Sequence, residues 1–464
     1  MRDLIVALFI VGALPACFRR PFIGLLLFSL LAYMRLQDLT WGWARDVRWS
    51  YFVALVTFVG FLFSRQPDKR FFRPELRCWV MIALALLVGF SLLFSTNLRP
   101  DDFENYTEYC KIISVALFTT AIVRTREHLR ILVWVIALCF GFFGVKNGIN
   151  FLVHAGGLKI EQGPGGALID NNDFALALCM AIPLLLHLGL SERRVLIRRT
   201  VLAMVPLTAM TIVATHSRGG FLALGVTAVV LAWRSRNRFA SFALLLLCLL
   251  GGTLLVPRSF KERISTITEY QTEGSARGRI EAWGVALHMI QAKPLLGVGF
   301  EKFQENYRRY DPRATTDAEG GPGTRVTHNS YLEIWAECGT PAFLLYLLLF
   351  AWSFFDLWRL RREAAARYHS SWILSYTTMF EGSLAAFAVG SLFLNRAHFD
   401  LFYHLVAIVL VFSAIARQAM RDEFAYPARE RVRGWLARER SRGFGARSGE
   451  RGFGRARRTP AFGS

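Results

Sequence analysis

Arg218, Arg279 and His328 have the side-chain types needed for chemistry on an anionic substrate. An arginine fork donates bidentately to phosphate and keeps its charge, so two of them could neutralise a diphosphate without a metal. A histidine, with an unperturbed pKa of about 6.5, can take a proton from a hydroxyl.

Each also has a plainer reading. Ser217-Arg218-Gly219-Gly220 opens an apolar run. There an arginine can snorkel to headgroups and glycines can admit a close helix neighbour; alternatively, Ser217 and Arg218 meet an anion at a helix N-terminus. Arg277 and Arg279 begin an expected amphipathic helix over 277–292, with Ile280, Trp283, Leu287 and Ile290 on one face. They are solvated charges on that helix or ligands of the same anion. Ser330 and Glu333 fit a capping box that starts the next helix. His328 has no part in such a box, and Asn329 beside it is a binding candidate. Asp170-Asn171-Asn172-Asp173 suits a helix cap, with sugar recognition by Asn171 or Asn172 as the alternative. His216 is a weaker rival to His328. Lys146 is an intramembrane charge or a snorkelling one.

These residues must be positioned by a membrane bundle. The chain has 464 residues, 54% of them hydrophobic and 14% aromatic, too apolar for a soluble multidomain protein. Apolar segments recur at 49–63, 78–94, 129–153, 173–190, 200–214, 219–233, 241–256, 340–358, 377–394 and 398–415, with shorter ones at 4–17, 22–34 and 112–123. The expected fold is an all-α, polytopic transmembrane bundle of about 12–13 spans. Its first pair is short enough to form a re-entrant hairpin. No cleavable signal peptide is expected, because Arg2 is the only basic flank of the first run and Asp3 offsets it.

A net charge of +21 would suggest nucleic acid in a soluble chain. Here the basic loops 18–21, 64–77, 124–130, 191–200, 234–240 and 359–367 lie on one side of successive spans. The positive-inside rule makes that side cytoplasmic and puts the acidic loop 95–111 and the long loop 257–329 outside. Three regions follow: an N-terminal membrane region at 1–200, a core at 201–415 that includes the 257–329 loop, and a basic tail at 416–464. The composition of the tail is that of a disordered segment attracted to anionic headgroups rather than to nucleic acid.

Within the loop, Pro294 ends the amphipathic helix and Leu295 to Phe300 reads as a turn-rich hinge. A polar stretch follows over 301–318, and Glu319-Gly320-Gly321-Pro322-Gly323 is an irregular, mobile run. The pair Gly297 and Gly299 lacks the strand and third glycine of a dinucleotide fingerprint. Topology brings Asp170–Asp173, Thr215–Gly220 and His328–Ser330 to one external face, together with Arg396 and His398. No Cys-x-x-Cys pair or metal spacing occurs, so no metal and no cofactor is expected. Cys110 and Cys338 could pair at that face, but buried thiols are the expected state.

Taken in order, Ser217-Arg218-Gly219-Gly220, Arg279-x-x-x-Trp283, Lys293-Pro294-Leu295-Leu296-Gly297-Val298-Gly299-Phe300 and His328-Asn329-Ser330-Tyr331-Leu332-Glu333 resemble the O-antigen ligase superfamily. Arg19-Arg20-Pro21-Phe22-Ile23-Gly24 and Leu39-Thr40-Trp41-Gly42 look like its exosortase-A-system-associated O-glycosylation ligases. Only the tail from about 420 lies outside the resemblance.

The resemblance implies an enzyme of the bacterial inner membrane. It would move a glycan from an undecaprenyl diphosphate donor to a protein, lipid or glycan acceptor on the periplasmic side, without metal or nucleotide. Arg218 and Arg279 then match diphosphate-binding arginines and His328 a proposed general base. Lys293 departs from the histidine often found there. A polymerase of the same superfamily is the nearest alternative. A transporter or flippase is a different class, but transporters usually show inverted repeats, and none is visible here.

Overall fold

The computed structural model describes residues 2–64, 69–235, 237–243, 246–247, 271–311, 325–365 and 371–425. Most of the expected span at 241–256, much of the 257–329 loop including Glu319–Gly323, and the tail from 426 lie outside them. The chain divides into two compact units, Met1–Ile415 and Ala416–Ser464.

The first unit is built from helices, because a bilayer leaves no water to satisfy an open backbone. In order they are α1 (Arg2–Arg19), α2 (Pro21–Tyr33), α3 (Trp49–Phe63), α4 (Leu76–Leu93), α5 (Pro100–Ile122), α6 (Arg126–Val153) and α7 (Asn171–Ser191). Next come α8 (Val195–Ala214), α9 (Arg218–Arg234), α10 (Gln271–Ala292), α11 (Phe303–Tyr310), α12 (Ser330–Ala365), α13 (Ser371–Gly390) and α14 (Asp400–Ala425). Among the described residues the only strand-like pairing is one bridge, Gln162 to Asp170. Among the described residues six helices, α4, α6, α7, α8, α12 and α14, are long and apolar enough to cross a membrane. The fold is an all-α polytopic bundle. At 13 residues α2 rises only about 20 Å, short of a hydrocarbon core about 30 Å thick.

Local chemistry sets the helix starts. Proline occupies the first turn of α2 and α5, where its missing N–H costs nothing. Thr125 caps α6 by accepting from His128 N at 3.1 Å, and Asp170 caps α7 by accepting from Asn172 N at 2.8 Å. In the bundle α6 packs along α7 and α8, α13 lies against α7 and α9, and α4 lies against α12. Residues 401–412 of α14 are all buried, which makes it the central helix. His404 on α14 hydrogen-bonds both Tyr33 (2.8 Å) and Thr119 (3.1 Å), tying the N-terminal helices to the core.

The loop helix α10 packs through only part of the expected face. Ala282, Val285, Ala286, Met289 and Ile290 form a core with Val298, Phe303, Tyr307 and Ala336. Ile280 and Leu287 are instead 66% and 45% exposed. Ala282 and Ala286 let α10 sit close on α12 and α11, and Ile280 and Leu287 are turned outward.

Leu295 to Phe300 is a docking segment and not a hinge. Val298 N and Gly299 N donate to Ala336 O and Glu337 O at 2.9 and 3.0 Å. Val298 and Phe300 are buried, each stabilising by about 1.5–3 kcal/mol relative to exposure. Gly297 has φ +68°, and a Cβ there would lie 2.3 Å from the Glu337 backbone. On the facing side, α12 is interrupted at Gly339 (φ 81°, ψ 175°). A Cβ at Gly339 would meet Leu295 O at 2.1 Å. Two backbones approach here at a distance that only glycine permits.

Candidate functional site

The starts of α7, α9 and α12, the end of α8 and the α13–α14 turn meet at one end of the bundle. Asn171 Nδ2 donates to Thr215 O (2.9 Å), linking α7 to the end of α8. Thr327 Oγ1 donates to Asn395 Oδ1 (2.6 Å), linking the approach to α12 with the turn.

Ser217 is the N-cap of α9. Its Oγ accepts from Gly220 N at 3.0 Å and it is buried, so its hydroxyl is engaged in structure. Gly220 faces Ala175, where a Cβ would sit 2.7 Å from the alanine Cβ, and Gly219 lies against Phe393. The glycines therefore serve packing, which leaves Arg218 exposed in the first turn of α9.

Arg279 is half-buried on α10. Burial first, and then the Arg218 guanidinium, hold its pKa below the usual value. Two cations from distant helices thus lie within electrostatic reach of one another. Among the described residues neither arginine forms an ion pair. Like charges held together without a carboxylate cost stability, which an anion placed between them would recover. The side chain of Arg277 lies outside the described residues.

His328 comes next to this pair. Its pKa is lowered by burial first and by Arg279 second, while Asp170 opposes the shift. A lowered pKa keeps the imidazole neutral near pH 7 and able to accept a proton. Its backbone is in the left-handed region, φ 46°, a conformation histidine visits more readily than most residues. Trp283 Nε1 donates to Thr327 O at 2.9 Å, so α10 holds the residue just before His328. Arg325 pairs with Glu281 at 2.9 Å and makes a second tie to α10.

Asn329, not Ser330, caps α12: its Oδ1 accepts from Tyr331 N (3.0 Å) and Leu332 N (3.2 Å). Ser330 is therefore the first helical residue, and the expected capping box is out of register by one. Ser330 Oγ instead donates to Leu394 O (2.7 Å) and accepts from Arg396 N (2.8 Å), while Glu333 accepts from Ala397 N (3.2 Å). The serine and the glutamate clamp the α13–α14 turn. Asn172 donates its side-chain amide to Asn171 Oδ1 at 3.0 Å. In the same first turn of α7, Asp173 pairs with Arg396.

Arg396 and His398 shared the expected face but were not among the expected site residues. The sequence signal for them was an arginine and a histidine confined to a short turn between two spans. Lys146 is exposed on α6. Cys110 and Cys338 are both free thiols. Among the described residues no group of three His, Cys, Asp or Glu side chains is placed to hold a metal ion.

Residues 202–347, which include Arg218, Arg279 and His328, match the protein-family model described as O-Antigen ligase. This stretch is similar to O-antigen ligases. Residues 1–193 match a second family model, described as of unknown function. A search of curated proteins found no match. The matched stretch spans most of α8, then α9, α10, α11 and the first half of α12. It includes the residues that approach one another at the site, whereas Asp170, Asp173 and Arg396 come from outside it. The match supports a membrane ligase or polymerase activity in polysaccharide assembly.

Proposed function

We propose that the protein transfers a glycan from an undecaprenyl-diphosphate-linked donor to an acceptor hydroxyl at the periplasmic face of a bacterial inner membrane. The observation that carries this reading is the convergence of Arg218, Arg279 and His328, in which Arg218 acts on Arg279 and Arg279 acts on His328. His328 accepts the acceptor's hydroxyl proton, and the oxygen attacks the anomeric carbon with inversion. The bond from that carbon to the phosphate oxygen breaks, and undecaprenyl diphosphate leaves with its charge held by Arg218 and Arg279. Preorganised positive charge aimed at the departing anion is the dominant contribution. The reading needs no metal. The likeness of the N-terminal segment to the exosortase-associated group favours O-glycosylation, and the same chemistry serves a polymerase when the acceptor is a glycan end.

His328→Ala is expected to abolish glycan attachment in cells while the protein remains inserted at its normal level. Full attachment by that variant would remove the proposed base.

A further inference from the structure

Outside the cation cluster lies a cavity of about 1000 Å³, at the upper end of the about 300–1,000 Å³ usual for ligand pockets. Its walls come mostly from the region whose family match names no function. The floor is α2, through Leu25, Phe28 and Leu31, and the sides are α3 and α5. These two helices stand apart along most of their length. They are joined at one end by the exposed pair Arg48 and Glu104 (3.3 Å), and at the other by Phe58 and Phe61 against Phe118. The aromatic cluster closes one end of the cleft. Tyr51, Leu55 and Phe58 line it while remaining 53%, 46% and 42% exposed, so it opens sideways between helices that face hydrocarbon.

The other end is polar. Arg35 pairs with Asp38 and Lys111 with Glu108, so these rim charges cancel in pairs. Arg396 and His398 line the inner end. The ring of His398 is held edge-on between Tyr109 and Phe300, and among the described residues neither of its shielded ring nitrogens has a hydrogen-bond partner. Burial first, and then the Arg396 charge, lower its pKa to about 3. The imidazole is neutral, with one donor and one acceptor, which matches a hydroxyl better than an anion. Polar groups buried without partners are costly, and a ligand hydroxyl would relieve that cost.

We propose that this cleft binds the hydrocarbon chain of a membrane amphiphile and brings a hydroxyl-bearing head to Arg396 and His398. The arrangement fits a long apolar slot with a lateral entrance, blocked at one end and lined with hydrogen-bonding groups at the other. It does not rest on the transfer reaction, since retention of a lipid requires no turnover. It does adjoin the candidate site, because Ser330 holds the Arg396 backbone and Asp173 its guanidinium.

The test is native mass spectrometry of the full chain purified in mild detergent. Wild type and His328→Ala should each retain a bound lipid, whereas Ala54→Trp and Ser114→Trp, which fill the slot from α3 and from α5, should each retain about tenfold less. Two independent fillings guard against one variant that misfolds. The mass of the retained molecule separates a bilayer phospholipid with a glycerol head from a glycan-bearing lipid, and either supports the proposal. Absence of a retained lipid from wild type, equal retention in both tryptophan variants, or a retained lipid with no head-group hydroxyl would overturn it.

Discussion

Replacing Arg279 by Gln removes a positive charge from two relationships at once, and the two effects can be read separately. On the proposed leaving diphosphate, a guanidinium about 4 Å from an anion at an effective dielectric of about 20 gains about 4 kcal/mol. Arg279 is only half-buried and Arg218 remains, so about half of that is lost to screening and compensation. A loss of about 2 kcal/mol lowers turnover about 30-fold. On His328 the sign is opposite. Arg279 helps to hold the imidazole pKa below its ordinary value, so its removal raises that pKa. Acidification then protonates the base sooner, and the acid limb of the rate profile moves to higher pH. Arg279→Lys keeps the charge but loses the fork, so it should lose turnover with the acid limb unmoved. Asp170→Asn should move the limb the other way, because Asp170 raises the His328 pKa and asparagine preserves the α7 cap. Initial rates of glycan transfer in proteoliposomes, measured from about pH 5 to 8 with a prenyl diphosphate saccharide, supply both readouts. An acid limb that stays fixed or moves to lower pH in Arg279→Gln would refute the coupling of arginine to base.

Trp283→Phe keeps the ring and removes the bond to Thr327 O, worth about 0.5–1.5 kcal/mol net. Turnover should fall about two- to tenfold with KM unchanged, and a loss as complete as that of His328→Ala would place the indole on the substrate instead. Gly339→Ala forces a side chain into φ 81° and onto Leu295 O, so stability should drop by about 1–3 kcal/mol. Thermal unfolding in detergent checks this, and an unchanged Tm would contradict the close backbone contact. EDTA treatment of the purified protein should leave transfer intact; a loss restored by a divalent ion would sink the metal-independent reading.

The helical bundle was legible because membrane burial imposes long apolar runs, and α4, α6, α7 and α9 follow them closely. Arg218, Arg279 and His328, the residues of the proposed chemistry, could be picked out by type, and the shared face of Thr215–Gly220 and His328–Ser330 anticipates the approach of two of them. Their supports were hidden. Ser330 and Glu333 look like a capping box by spacing, but the helix starts one residue earlier than that motif requires and both side chains serve a turn more than 60 residues away. Ile280 and Leu287 obey helical periodicity, but periodicity does not say which face finds a neighbour, and the alanine face of α10 packs closer. Gly297 and Gly299 read as freedom in the sequence and act as clearance in the fold. Arg396 had no motif around it, and its partners Asp173 and Ser330 are distant in the chain.

Trp283 and Glu281 both fasten α10 to the segment that ends at His328. The arginine of α10 and the histidine therefore belong to one mechanical body, whereas Arg218 belongs to another helix. A movement of α10 with this segment relative to α9 would change the gap between the two arginines and leave the spacing of Arg279 and His328 nearly constant. The anion would then be gripped only when the two bodies close, at a moment when the base is already in its place.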